Sequence, residues 1–366
     1  MHICVLKERR AHENRVAASP ETVKKLVSMG HTVTVESKAG LESSFVDKAY
    51  SDAGATIEKD AADALKGAEV VLKVQRPMSK DEGQDEFSDL PKGSCIIAML
   101  DSLIETEQIG AYKSKGIKAF ALERVPRITR AQSMDVLSSQ SNLAGYRAVI
   151  EASYEIPRAF PMMMTAAGTI APVRALVLGA GVAGLQAIAT AKRLGAVVFA
   201  FDVRKAAKEQ VESLGATFVE VDAEEDAETA GGYAKETSKE YQKLQADKIH
   251  ETLMKVDIAI TTALIPGKPA PKLITDAMIK DMKPGSVIVD MATASGGNVS
   301  ASKPDKVVSV KDVKIIGYSN LASRIASDAS ALYARNVLKF FELISDDKGK
   351  LKIDMDDEII KASLIS

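Results

Sequence analysis

The chain has 366 residues, enough for about two domains, and its 46% hydrophobic and 27% charged residues are those of a globular protein with sizeable cores. A formal net charge of −2 with no basic stripe excludes an electrostatic nucleic-acid binder. No run approaches the roughly 20 apolar residues of a bilayer span, "MHICVLKERR" lacks signal-peptide order, and Cys4 and Cys95 sit in apolar runs, as buried thiols of a reducing compartment would.

Short β-branched runs alternate with helical stretches from the start. "ICVL" precedes a helical "PETVKKLVSMG", whose start is marked by Ser19 and Pro20. "HTVTVE", "EVVLKV", "CIIAML" and "IKAFALE" follow, then, after residue 150, "RALVLG", "AVVFAFD", "TFVEVD", "DIAITTA", "SVIVDM" and "VKIIGY". Runs of four to seven apolar residues between helices predict parallel strands covered on both faces. The expected fold class is α/β, with two doubly wound, Rossmann-like parallel sheets. A helix from about Ser327 to Leu343 and a polar tail read as a hairpin are expected to return to the first domain. This makes the first domain discontinuous, residues 1–137 plus 330–366, around a second at 138–329.

The most specific motif is "RALVLGAGVAGLQAIATAKRLGAVVFAFDVRK". Gly179, Gly181 and Gly184 form G-x-G-x-x-G after an apolar strand and at the start of an Ala-rich helix. These glycines permit a tight turn, close approach of backbone N–H groups to a pyrophosphate, and close helix–strand packing. The helix N-terminus adds partial positive charge beneath the phosphates. Asp202 ends the next strand, where a carboxylate can accept both ribose hydroxyls and repel a 2′-phosphate, favouring NAD(H) over NADP(H). Val182 and Val203, beside the glycines and the acid, belong to the same candidate site. Arg204 could instead hold a 2′-phosphate, though Asp202 is expected to dominate.

The first half has no glycine fingerprint. Arg9, Arg10 and Arg15 in "KERRAHENRVAASPETV" read either as an anion site or as a solvated charged loop. An alcohol or amine dehydrogenase must move a proton along with the hydride, which needs a positioned acid/base. None of His2, His12, His31 and His250 falls at the carboxyl end of a strand, and Lys73 reads as either a base or a solvated lysine. No metal-spaced cluster occurs. Hydride passage between two nicotinamide rings needs no proton shuttle, only two ring carbons held about 3–3.5 Å apart in a dry site.

Three segments, "VPRITRAQSMDVLSSQSNLAGYRAV", "MMMTAAGTIAPVRALVLGAGVAGLQAIATAKRLGA" and "DIAITTALIPGKPAPKLIT", resemble the NAD(H)-binding domain I of proton-translocating nicotinamide nucleotide transhydrogenases, and the resemblance extends along essentially the whole chain. It implies that this chain exchanges hydride with an NADP(H)-binding component, and that a membrane component couples the exchange to proton flow. It also implies that Arg127, Gln132, Asp135 and Ser138 lie over the nicotinamide end. Arg127 and Asp135 are expected to pair, Ser138 to meet the carboxamide, and Gln132 to face the second nucleotide. The alternative is that these polar groups cap a helix whose Leu143, Tyr146, Ile150 and Tyr154 form a buried stripe.

The family's mobile lid corresponds to "DAEEDAETAGGYAKETSKEYQ", with Gly231, Gly232 and Tyr233 at its tip. Gln245 and Leu264 match nucleotide contacts. "PMMMTAAGTIAP" resembles the arm through which the family dimerises, though a Met run can equally be core. An alanine dehydrogenase is the main rival, but the strand expected to carry its histidine reads "CIIAMLDSL". A non-catalytic NAD-sensing module would keep the fingerprint and need no Arg127–Ser138 apparatus. The expected location is cytoplasmic or matrix-side, peripheral to a membrane through separate NADP(H)-binding and membrane polypeptides. An excised domain would look the same.

Overall fold

The computed structural model describes residues 1–221, 238–265, 267–346 and 348–366, which divide into two compact units, 1–140 with 322–366 and 141–321. The first unit is built on strands β1 (His2–Val5), β2 (Thr32–Glu36), β3 (Thr56–Glu58), β4 (Val70–Gln75), β5 (Cys95–Met99) and β6 (Lys118–Ala121). They lie in the order β3-β2-β1-β4-β5-β6, all neighbours parallel. Ile3, Val5, Val70, Leu72 and Ile97 are fully shielded, because helices cover both faces of a parallel sheet.

The Ser19–Pro20 signal is realised as a capping box. Ser19 Oγ accepts from the Thr22 amide and Thr22 Oγ1 from the Ser19 amide, opening the helix Pro20–Ser28. After residue 322 the helix Ala326–Leu343 brings Tyr333, Val337, Phe340 and Phe341 into the same core as β1 and β4. Phe340 meets the edge of Phe120 with ring centroids 5.3 Å apart, a geometry aromatic pairs prefer.

The tail keeps the expected hairpin only as a minimal antiparallel turn and then departs from it. A single antiparallel bridge, Ser345 to Leu351, closes a turn, and Glu358–Ser363 is a helix capped by Asp357. Leu364 then bridges Phe120, so the chain end covers the open edge of β6.

The second unit contains β9 (Arg174–Leu178), β10 (Val197–Phe201), β11 (Thr217–Phe218), β12 (Ile258–Thr261), β13 (Val287–Asp290), β14 (Val307–Val310) and β15 (Val313–Ile316), preceded by the hairpin β7 (Met163–Thr165) and β8 (Gly168–Ile170). The order is β11-β10-β9-β12-β13-β15-β14, parallel except for β14 against β15. In both sheets the order reverses beside the first strand, the place where open α/β sheets bind ligands at strand carboxyl ends.

The helix Val136–Glu155 does not bury the expected stripe. Tyr146 is 41% and Tyr154 83% exposed, while Ala148, Val149 and Ala152 are buried. The cause is close helix packing: a Cβ on Gly145 would stand 2.1 Å from the carbonyl oxygen of Ala183, so small residues face the helix Val182–Arg193. The hairpin β7–β8 is likewise not core, since Met162, Met163, Met164 and Ile170 are exposed.

Candidate functional site

In the second unit, β9 ends at Leu178 and the chain turns at Gly179, whose φ of +101° disfavours any side chain. The Gly179 amide donates to the Phe201 carbonyl of β10, which carries the β9–β10 ladder up to the residue where the chain turns. A Cβ at Gly179 would lie 2.5 Å from Thr262 Oγ1, and one at Gly184 only 1.8 Å from the Gly179 carbonyl oxygen. Gly181 is different. A Cβ there would meet no protein atom within 4 Å, so its lack of a side chain leaves an open approach to the backbone. It caps the helix Val182–Arg193 without a side-chain hydrogen bond. The first-turn N–H groups, Val182 among them, have no acceptor within the helix and suit a pyrophosphate.

Asp202 follows β10 and is nearly buried. Its Oδ2 accepts from the Ala180 amide at 2.7 Å and from Arg204 Nη2 at 2.9 Å. Its Oδ1 accepts from the amide and Nε of Arg204, each at 2.9 Å. A carboxylate offers about four acceptor positions, and here the Ala180 amide, the Arg204 amide and the Arg204 side chain use them. Arg204 thus acts on the acid beside it, which reconciles the two residues that the sequence sets in opposition. Val203 packs on a second-unit core cluster.

The loop after β12 is fastened to the same turn. Thr262 Oγ1 donates to the Gly179 carbonyl at 3.0 Å, and Asn298 brackets Ala263 with bonds to its amide and carbonyl at 3.1 and 2.9 Å. Asn298 is placed by fully buried Asp290, which accepts the amides of Ala292, Asn298 and Val299. This knot leaves Leu264 exposed beyond Ala263. Sequence reasoning does not single out Asp290 or Asn298; the available signal is an acid at a strand end followed by Gly296, Gly297 and Asn298. Gln245 is buried on the helix Lys239–Leu253. Gly231, Gly232 and Tyr233 lie outside the described residues. A cavity of about 480 Å³ lined by Arg174, Phe199, Phe218, Lys248 and Lys255 sits toward the amino ends of β9 and β12, away from the fingerprint.

In the first unit, Thr129–Met134 is a 3-10 helix of six residues, long for its type. With three residues per turn, Ala131 and Met134 share a buried face, while Gln132 is exposed between them. Arg127 is exposed just before this segment. The expected pairing of Arg127 with Asp135 is not what forms. Asp135 Oδ1 accepts the Ser138 amide at 2.9 Å and Oδ2 the Ser138 hydroxyl at 2.5 Å, which caps the helix Val136–Glu155. Asp135 and Ser138 thus cap the helix, a set of bonds that includes no contact to Gln132.

The arginines after β1 are paired within the protein rather than solvated. Arg9 pairs with Glu36 and Glu86, Arg10 with Glu82, and Arg15 with Glu13. Lys73 is not solvated either; it is fully buried, 2.9 Å from Glu86 and 3.3 Å from Glu8. Burial pushes the Glu8 carboxyl upward despite Lys73 beside it. Burial acts the same way on Glu13, yet the Arg15 charge and hydrogen bonds from Arg15 and Gln75 outweigh it and hold Glu13 at about 2. Burial pushes the thiols of Cys4 and Cys95 up to about 12, so both are unreactive. Among the described residues no His/Cys/Asp/Glu group could hold a metal, and no helix is long and apolar enough to cross a membrane.

Fold and fingerprint together define a two-unit α/β dinucleotide-binding protein. Residues 4–144 match the alanine dehydrogenase/PNT N-terminal domain and residues 148–366 the C-terminal domain. The first of the alpha-subunit polypeptides of the NAD(P) transhydrogenase of Rhodospirillum rubrum is 56% identical over all of this chain and 96% of its own length. The crystal structure of transhydrogenase from Sinorhizobium meliloti superposes with a TM-score of 0.88 at 50% identity, covering 100% of this chain and 98% of that one. The alanine dehydrogenase of Bacillus subtilis is 31% identical over 100% of this chain and 90% of its own. The chain belongs to the alanine dehydrogenase/PNT family, and within it to the NAD(H)-binding alpha subunits of NAD(P) transhydrogenases.

Proposed function

We propose that this chain holds NAD(H) and exchanges a hydride with NADP(H) bound to a partner component, while a membrane component couples the exchange to proton movement. The observation that carries the reading is the Gly179–Gly184 turn beside Asp202, whose one open position is Gly181. The pyrophosphate rests on the first turn of Val182–Arg193. Adenosine ribose hydroxyls bond Asp202 as the Arg204 side chain yields, and Val203, Leu264 and Gln245 shape the adenosine end. Arg127, Gln132, Asp135 and Ser138 serve the nicotinamide end, where Ser138 meets the carboxamide and Gln132 faces the second nucleotide. The hydride passes between the two rings themselves. These residues orient the nicotinamide ring and exclude water, and no proton need be moved by a side chain.

The alanine dehydrogenase reading is disfavoured by Lys73. With Glu8 and Glu86 against it, its charge is already matched within the protein, and β5 carries no histidine. Two copies pair through the exposed hairpin β7–β8, whose methionines offer an adaptable apolar surface. The chain works on the cytoplasmic or matrix side, held to the membrane by its partners.

The test is an assay for reduction of an NAD analogue by NADPH after the chain is mixed with an NADP(H)-binding component. Turnover only in the mixture is expected. Steady oxidation of NADH with pyruvate and ammonia would favour the alanine dehydrogenase reading, and tight NADH binding without any hydride acceptor would favour a sensing module.

A further inference from the structure

The 3-10 segment Thr129–Met134 is held from one side by the C-terminal helix of its own unit. Asn336, on the buried face of Ala326–Leu343, donates from Nδ2 to the Ser133 carbonyl at 2.8 Å and accepts the Ser139 hydroxyl on Oδ1 at 2.7 Å. One amide thus ties the residue after Gln132 to the first turn of the helix that follows. Gln140 continues the chain of bonds, donating to Ser139 Oγ at 3.2 Å and to the Ala329 carbonyl at 3.1 Å, while Arg15 Nη1 donates to Gln140 Oε1 at 2.8 Å. On the outer side, Arg130 pairs with Asp357 at 2.7 Å.

A six-residue 3-10 run has poorer hydrogen-bond geometry than an α-helix and needs outside support to persist. The Ser133 carbonyl is where that support is applied, one residue from Gln132. We infer that Asn336 is a positioning residue for hydride transfer: by fixing the Ser133 carbonyl it sets the height and direction of Gln132 without touching either nucleotide. The inference rests on the proposed role of Gln132.

The test is single-turnover hydride transfer with an NADP(H)-binding component present, read beside calorimetric NADH affinity and thermal stability. Asn336→Leu, which keeps the branched shape and loses both bonds, is expected to slow transfer by about tenfold with NADH affinity within about twofold. The decisive readout is a double-mutant cycle: Gln132→Ala with Asn336→Leu is expected to be no slower than Gln132→Ala alone, because both act on the same group. A merely structural Asn336 gives additive losses. Asn336→Asp keeps the Ser139 bond but turns an acceptor toward the Ser133 carbonyl, and it carries the same expectation where the leucine variant does not fold. Wild-type transfer with an unchanged Asn336→Leu rate, or additive losses in the cycle, overturns the inference and leaves the functional reading intact. Absence of transfer by wild type in the mixture overturns both.

Discussion

The main sheet of each unit has its own first strand, β1 or β9, near its centre and reverses strand order beside it, yet the loops that leave those two strands are opposite in character. After β9 the chain makes a glycine turn whose Gly181 faces open space. After β1 it runs into Glu8, Arg9, Arg10, Glu13 and Arg15, which pair among themselves and with Lys73, Glu36, Glu82 and Glu86. The same topology leads into an open glycine turn in one unit and into a network of paired charges in the other. Topology supplies a place for a ligand; the residues after the first strand decide whether a ligand or the protein's own charges occupy it.

The contrast between the two loops is tested most severely at Lys73. Lys73→Ala leaves Glu8 buried without its cation and Glu86 with Arg9 alone, and is expected to cost about 3–5 kcal/mol of stability, measured by denaturant unfolding. The nucleotide is proposed to bind elsewhere, so NADH affinity should not change; a specific loss of affinity at unchanged stability would show that the charged cluster is itself a nucleotide site. Gly181→Ala should do the reverse. Its Cβ touches no protein atom, so the melting temperature should hold, while NADH binding weakens by roughly 100-fold because the methyl occupies the pyrophosphate's approach.

Asp202→Ala is expected to weaken NADH by about tenfold and to narrow the preference over NADPH, read as the ratio of the two calorimetric affinities. A fixed ratio would remove Asp202 from the ribose. pH gives a separate check on the charged cluster. Glu13 is held at about 2, below its ordinary range, so its contribution to stability is complete above about pH 4.5 and fades as pH falls toward 2. Glu13→Gln should flatten that part of the stability curve, and an unaltered curve would mean that other carboxylates govern acid unfolding.

Much of this architecture can be read directly from runs such as "EVVLKV" and "SVIVDM", because strands buried on both faces appear as continuous apolar stretches. β3 and β14 escape that reading for the converse reason: they are short sheet-edge strands, and β14 alternates exposed with half-buried residues. The fingerprint is legible because backbone geometry demands glycine there. The charged cluster is not, since ion pairs such as Arg10–Glu82 join residues far apart in the chain and local reading gives only the charges. The helix after Asp135 misleads for a third reason: large apolar residues suggest its buried face, whereas close approach to Ala183 selects Gly145 and its small neighbours.

Direct passage of hydride from one nicotinamide ring to another is tested most closely by isotope transfer. NADPH carrying deuterium at its transferable position, mixed with an NADP(H)-binding component, this chain and an NAD analogue, should place the label on the reduced analogue in a single turnover. Protium from water at that carbon would rule out direct transfer, because it requires an intermediate carrier or a side chain that exchanges with solvent.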